Sequence, residues 1–499
     1  MRLRPSIVAF ALVIVSLSPG IAGARGGFPT LWIFPSEQCP GTFQECIDGA
    51  QPGDTVEIHA SADVGSADVA KSLTIQAGNG FHLTLDPVSV TDDGSAAPVA
   101  FTLTGVTVAT RLQATLRNQP GGSLLIRDVH VEQSEADAPV SAVWIQANVS
   151  STVTIESSVI QGSAKQHGAV QFDTTAFGGS LVELRAVGNR VTDHGASRAG
   201  GGFEIANNGE GTLDGVIDGN AIWDVASCGC GLSAGVEASG TGGHTVLDVV
   251  GNSIDRSAFA GLAFNSSQLP AGDHMTVNAF DDALTHTVRA VDLIDFTPSR
   301  MSFRAGWNDL FANEQDPILA GQSLGTHNLA VSPRYVDASF GDLRLKATSP
   351  LVDRGVVCSP GGVVNLDAAG HGRLFGPSVD IGAYEQGAGA PTGVAMVGSG
   401  GADALTGTGG ADILCGMGGA DTLRGGGGDD FLDGGPGPDV LIGGAGADLL
   451  RGGPGNDTCL DAVDGHGTDV VDGGTGTDHF RADPGDDLVH VEIRGSCDP

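Results

Sequence analysis

The chain has 499 residues and a formal net charge of −35, from 59 acidic against 24 basic side chains. That balance argues against nucleic acid, anionic membranes and polyanionic substrates as partners, unless basic side chains converge locally. Only Lys71, Lys165 and Lys346 are lysines, and such arginine-heavy usage is typical of a high-GC bacterial genome.

The first 24 residues read as a secretory signal. Arg2 and Arg4 form a positive start, Ile7 to Leu17 an eleven-residue apolar run, and Ala22-Gly23-Ala24 a cleavage triplet. Eleven residues are too few to span a bilayer, and no other apolar run approaches eighteen. The expectation is a secreted, extracellular protein cleaved after Ala24, not a membrane-spanning one.

Between about Asp54 and Asp295 short β-rich runs recur. One apolar position from each gives Val131, Ile160, Val191, Ile222, Ile254 and Leu284, at spacings of 29, 31, 31, 32 and 30. Between them lies a second set, including "AVWIQAN", "AVQFDTT", "GFEIANN" and "AGVEASG". Both sets are extended by residue type and alternation. A unit of about thirty residues with two or three short strands predicts a solenoid, each coil ~4.8 Å above the last. Gly188-Asn189, Gly219-Asn220 and Gly251-Asn252 mark its tight corners. With aromatics at 5%, the markers of propeller blades are missing. The pattern resembles the right-handed parallel β-helix of the pectate-lyase-like superfamily, and Cys46–Ala60 resembles the segment that caps the first coil of such helices. The expected β-helix runs over residues 25–325.

Residues 326–386 change character, with "HNLAVSPRYVDASFGDLRLKATSPLVDRG" and then "VDIGAYEQ". They resemble the closing segment of secreted bacterial β-helix proteins of the choice-of-anchor Q type, although Ser332-Pro333 stands where Asp-Pro is usual. The resemblance implies a structural role, capping the last coil and joining it to the C-terminal part of the chain. A linker over residues 387–397 comes next.

From residue 398 to 490 aspartates keep time. Asp403, Asp412, Asp421, Asp430, Asp439, Asp448 and Asp457 are nine apart; after a step of twelve come Asp469, Asp478 and Asp487. The frame around them, kept with variations, is G-G-x-G-x-D-x-U-x, as in "GGAGADLLR" (Gly443–Arg451). The apolar U is Leu405, Leu414, Leu423, Leu432, Leu441 and Leu450, then Cys459, Val471, Phe480 and Val489. This resembles the hemolysin-type calcium-binding repeat of the RTX family.

The chemistry accounts for the spacing. Six residues make a turn whose glycines visit positive φ, three make a strand, and the aspartate offers the hard oxygen that Ca²⁺ prefers. Turns on one side lie eighteen residues apart, which pairs Asp403 with Asp421, Asp421 with Asp439, Asp439 with Asp457, Asp412 with Asp430, and Asp430 with Asp448. About five shared sites are expected, with one or two weaker ones after Asp457. The segment holds 17 aspartates, no glutamate and three arginines, a net of −14, so ion binding should supply its folding energy. Residues 491–499 form a tail. The overall expectation is all-β, a right-handed parallel β-helix followed by a calcium-binding parallel β-roll.

Eight cysteines in an exported chain are compatible with disulfides, and eight allow 105 pairings. Cys39 and Cys46 are close enough to close a small loop. Cys459 and Cys497 are candidates to staple the end of the roll, leaving Cys358 and Cys415, while Cys228 and Cys230 are too tight for an easy bridge.

Catalysis has weaker support. A lyase needs a base, for which His194 or Arg198 is available, since the lysines are scattered and Tyr335 and Tyr384 lie in the closing segment. A hydrolase needs two carboxylates on one face, for which Asp281, Asp282, Asp292 and Asp295 are candidates, although corner and solvent positions are the favoured account of them. The N-T-D and R-I-K signatures of polygalacturonases and the Asp-Pro-His-Glu tetrad of alginate epimerases are absent. The favoured expectation is a secreted calcium-binding protein whose β-helix binds a polysaccharide or cell-surface glycan; the alternative is a polysaccharide lyase, epimerase or hydrolase.

Overall fold

The computed structural model describes residues 29–495 apart from 62, 80, 82–83, 93–96, 134–140, 163–167, 194–200, 226–233, 295–298, 360–365, 374–377, 388–392 and 467. The expected signal segment, His194, Arg198, Asp295, Cys228, Cys230 and Cys497 lie outside the described residues.

Among the described residues three parallel sheets of eleven, eight and nine strands wind around one core as a parallel β-helix. A complete coil contributes one strand to each sheet, as Thr212–Asp218, Ala221–Trp223 and Ala234–Gly240 do. The expected ladder is the observed register of the second sheet: Val131 pairs with Ile160, then Val191, Ile222, Ile254 and Leu284. All six are fully buried. In the third sheet Val143, Val170, Phe203, Val236, Leu262 and Val291 stack in the same way. A one-residue slip would turn each strand inside out, so these ladders fix the fold.

The corner between the first and second sheets is built twice over. Gly188, Gly219 and Gly251 take φ of 62–63°, where a side chain is strained. The asparagine after each is fully buried, with its Oδ1 accepting the N–H of the equivalent residue one coil earlier: Asn189 to Asn220, then Asn220 to Asn252, at 2.9 Å each. The column continues through Asp282 and Asn308 to Asn328.

The first coil is covered by the helix Phe43–Gly49, whose N-cap Thr42 forms a capping box with Glu45 and whose Phe43, Cys46 and Ile47 face the core. A Cys39–Cys46 disulfide closes the loop before it. At the far end the coil persists as single bridges to Leu329. Beyond Leu329 the closing segment folds back along the second sheet. Its hairpin, Tyr335–Asp337 with Asp342–Leu345, and Leu351, Ile381, Ala383 and Tyr384 cover Ala221, Trp223 and Ala283 on the outer side of the second sheet. Those outward positions carry alanine and an indole, so the sheet is apolar on both faces there and needs the cover.

The roll is two parallel sheets of six strands, alternating along the chain, from Ala395–Val397 to Ile493–Arg494. Between them stack Leu414, Leu423, Leu432, Leu441, Leu450, Leu460, Val471 and Phe480. Cys358 and Cys415, which spacing leaves without assigned partners, are bonded to each other. Around them Val357 and Val379 of the closing segment pack with Ile413 and Phe431 of the roll. Cys459 is also disulfide-bonded.

Candidate calcium centre and outer faces of the β-helix

Each interior aspartate of the roll has two different oxygens. Oδ1 is tied to the preceding coil on the same side: it accepts the backbone N–H of the aspartate eighteen residues earlier, Asp403 to Asp421, Asp421 to Asp439 and Asp439 to Asp457 on one side, Asp412 to Asp430 and Asp430 to Asp448 on the other, at 2.8–2.9 Å. The twelve-residue step does not interrupt the column, which continues at 2.8 Å from Asp448 to Asp469 and from Asp457 to Asp478. Oδ2 is left over. In Asp421, Asp430, Asp439, Asp448, Asp457, Asp469 and Asp478 it is buried and has no hydrogen-bond partner.

A buried, unpaired carboxylate oxygen is costly, and seven repeated in register call for a common partner. The first glycine of each turn shows where that partner would lie. A Cβ at Gly425 would come 2.2 Å from Oδ2 of Asp430 and 2.6 Å from the carbonyl oxygen of Gly443. Carboxylate and carbonyl oxygens therefore converge on a space only glycine leaves open, a donor set that suits Ca²⁺. Burial pushes Asp430 and Asp457 up to about 7 and Asp439 and Asp448 up to about 6. Neighbouring aspartates add to that rise. Among the described residues no cluster of three or more His, Cys, Asp or Glu side chains is arranged for a metal; the roll instead offers one carboxylate per turn plus backbone oxygens.

The two ends depart from the sequence expectation. In the first turns Ser399 and Thr408 replace the second glycine, and their N–H groups donate to Oδ2 of Asp403 and Asp412 at 2.6 Å. Those carboxylates are already satisfied. At the other end Asp487 is exposed, and Asp486 takes the column position instead, accepting the N–H of Asp469 at 3.2 Å. The tight turn Asp483–Asp486, with Asp486 N–H on the Asp483 carbonyl, shortens the repeat by one residue. Leu488, not Val489, consequently pairs with Val471. A one-residue shift of the opposite sense puts Leu460, not Cys459, opposite Leu441. On the other side Glu492 ends the column, its Oε2 taking the N–H of Asp478 at 2.9 Å.

On the β-helix the described candidates for a carboxylate pair, Asp281, Asp282 and Asp292, are all buried. Asp281 and Asp282 do occupy corners, but fully buried ones. Asp281 accepts the N–H of Val356 at 2.8 Å, and Asp282 sits within the asparagine column. Asp292 is buried beside Arg289. The outer face of the third sheet holds a different set, aligned coil on coil: Gln113, Trp144, Gln171, Glu204 and Glu237. Trp144 Nε1 and Gln171 Nε2 both donate to Asp173 Oδ2 at 3.0 Å. Burial, then Glu204, pushes Glu237 up to about 7. The signal was present in the sequence, since "GFEIANN" and "AGVEASG" place a glutamate after equivalent apolar residues, Phe203 and Val236.

The family described as RTX calcium-binding nonapeptide repeat (4 copies) matches residues 396–423, 424–459 and 464–492. The roll thus carries RTX calcium-binding repeats. No curated protein sequence matches the chain. Among solved structures the chain is similar to one described as the crystal structure of pectate lyase Pel9A, at 13% identity and a TM-score of 0.47, over 72% of this chain and 97% of that one. Sheet order and register carry the fold assignment. Among the described residues no helix is long and apolar enough to cross a membrane.

Proposed function

We propose that this is an exported protein whose roll is completed by calcium outside the cell and whose β-helix binds a glycan through the outer face of its third sheet. The observation that carries the calcium part is the column of buried, unpartnered Oδ2 atoms. In this reading Asp421, Asp439, Asp457 and Asp478 on one side, and Asp430, Asp448 and Asp469 on the other, hold the ions with backbone carbonyls of adjacent turns. Asp486 and Glu492 end the two columns. Calcium supplies charge neutralisation and cross-links between coils; the chain's own part is to hold each Oδ1 on a backbone N–H, so that Oδ2 is aimed before an ion arrives.

The glycan reading rests on the third-sheet face, where Trp144 offers an apolar ring, Gln113 and Gln171 offer hydrogen-bonding groups in line with it, and Asp173 stands in the next file. Glycan-array binding of the whole protein at mM calcium, repeated in EDTA and with Trp144→Ala, tests it. Binding that ignores the Trp144 change would move the site elsewhere.

Glu204 and Glu237 favour one second reading, a glycoside hydrolase. They lie on adjacent coils of one face, about 5 Å apart by strand spacing, close to the separation used by retaining enzymes, and one of the two holds its proton near neutrality. Release of reducing ends from a glycan panel, abolished by Glu237→Gln, would establish this reading over simple binding.

A further inference from the structure

We propose that the seam between the second sheet and the closing segment is a binding site for a small carboxylate, held by Arg190, Arg344 and Tyr384. It is separate from the calcium roll and from the third-sheet face. In a chain of net charge −35 it is a place where basic side chains converge and hydrogen-bond donors outnumber the acceptors around them.

Arg190 projects outward from the strand Arg190–Asp193, its guanidinium carbon 5.8 Å from the ring centroid of Trp223. Arg190 makes no ion pair among the described residues. Arg344 reaches the same space from the hairpin, steadied by a two-pronged contact in which Nε and Nη2 donate to Asp342 at 2.8 and 2.6 Å. Arg344 keeps further N–H groups after that contact. Both arginines, with Asp342, Ala368, Ala369 and Tyr384, line a cavity of about 350 Å³. Burial pushes the Tyr384 hydroxyl up to about 12 against the pull of Arg190, so it stays a donor at neutral pH.

The acceptors nearby are used up. Asp342 is occupied by Arg344. Asp367 takes the N–H groups of Ala369 and His371 at 2.8 Å each on Oδ1, and that of Glu385 at 3.2 Å on Oδ2. The cavity thus sets two guanidinium groups against one carboxylate, Asp342, and has room for a second anion. A carboxylate matches the planar guanidinium fork, and the volume fits a ligand the size of a single sugar acid. The surrounding negative charge opposes a chain of carboxylates, so the ligand carries one.

The test is isothermal titration of the full-length, calcium-loaded protein with glucuronate, glucose, acetate and inorganic phosphate. Saturable glucuronate binding is expected, with acetate weaker and glucose absent. Arg190→Met keeps the apolar stem over Trp223 and should weaken glucuronate about tenfold, while Tyr384→Phe should weaken it a few-fold. Unchanged melting temperatures would separate both effects from misfolding. No glucuronate binding at 10 mM, an Arg190→Met protein that binds as well as the parent, or phosphate binding as tightly as glucuronate would each overturn the proposal. None of these outcomes depends on whether the third-sheet face binds a glycan.

Discussion

The backbone N–H of Asp439 donates to Oδ1 of Asp457 at 2.9 Å, and this one bond gives the two oxygens of Asp457 separate tasks. Oδ1 holds the register between coils. Oδ2 is left buried and unpaired, aimed where a cation can take it.

Position in the column should therefore set the effect of losing an aspartate. Asp439 is buried and bonded to Asp421 before it and Asp457 after it, whereas Asp403 is only half-buried and has its carboxylate satisfied by Ser399. In the full-length protein, Asp439→Ala should raise the calcium midpoint for roll formation about tenfold. Asp403→Ala should change it less than about twofold. Circular dichroism titrations, with midpoints expected at roughly 0.1–1 mM calcium and a poor response to magnesium, decide it. Equal shifts for the two variants would remove the column as the calcium site.

Protons should partly replace calcium. The roll carboxylates are raised from 3.8 in the unfolded chain to about 6 in Asp439 and Asp448 and about 7 in Asp430 and Asp457. A raised carboxylate favours the fold while protonated, so this stability is full below about pH 4 and lost as pH climbs through 6 to 7. In EDTA the roll should melt at higher temperature at pH 5 than at pH 8. With calcium present the order should reverse, because protons then compete with the ion. Thermal melts at the two pH values, with and without EDTA, measure both.

The β-helix register can be tested at two neighbouring residues. Ile222 is fully buried between Val191 and Ile254, and Ile222→Asp should cost several kcal/mol through an unpaired buried charge. Asp224 lies at the surface, with a side chain 39% exposed and paired with Arg256 at 2.6 Å, so Asp224→Ala should cost about 1 kcal/mol or less. Chemical denaturation of the two variants separates them; similar midpoints would contradict the register.

Asp282 is a carboxyl in a column otherwise carried here by asparagines. Its Oδ1 accepts from Asn252, as an amide oxygen would, and its Oδ2 is buried without a partner. Burial holds its carboxyl well above the usual range, so its neutral form is the one that fits. The associated stability is present in acid, below about pH 4, and falls as pH rises through the raised value. Asp282→Asn should raise the melting temperature at and above neutral pH and change it little at pH 4. A loss of stability at pH 8 would show that the column does not treat the two residues as equivalents.

What the sequence made legible was whatever repeats. Ile222 and Ile254 could be aligned because each coil must present an inward apolar residue at the same place, and Asp421 and Asp439 because each turn must present a carboxylate. What it concealed depends on contacts between distant segments or on local slips. Nothing near Asp487 in the sequence says that the turn from Asp483 is one residue short, so that Asp486 enters the column. Nothing near Cys358 points to Cys415, because their approach depends on the closing segment lying along the flank of the β-helix. Asp281 and Asp282 read as surface corners for the same reason: the segment that buries Asp281, through Val356, is 75 residues away.

The Cys358–Cys415 bond, which spans 57 residues, gives the roll a starting end. Ile413 and Phe431 are already seated against Val357 and Val379, so the early coils have a surface to form on without any ion. Stacked repeats extend from an existing neighbour more readily than they begin alone. Ion-driven assembly should thus run one way, from the anchored coils towards Glu492, like a zip whose slider is already engaged. Cutting the anchor would leave the roll to make its own first coil, and its response to calcium would become slower and more sharply dependent on concentration.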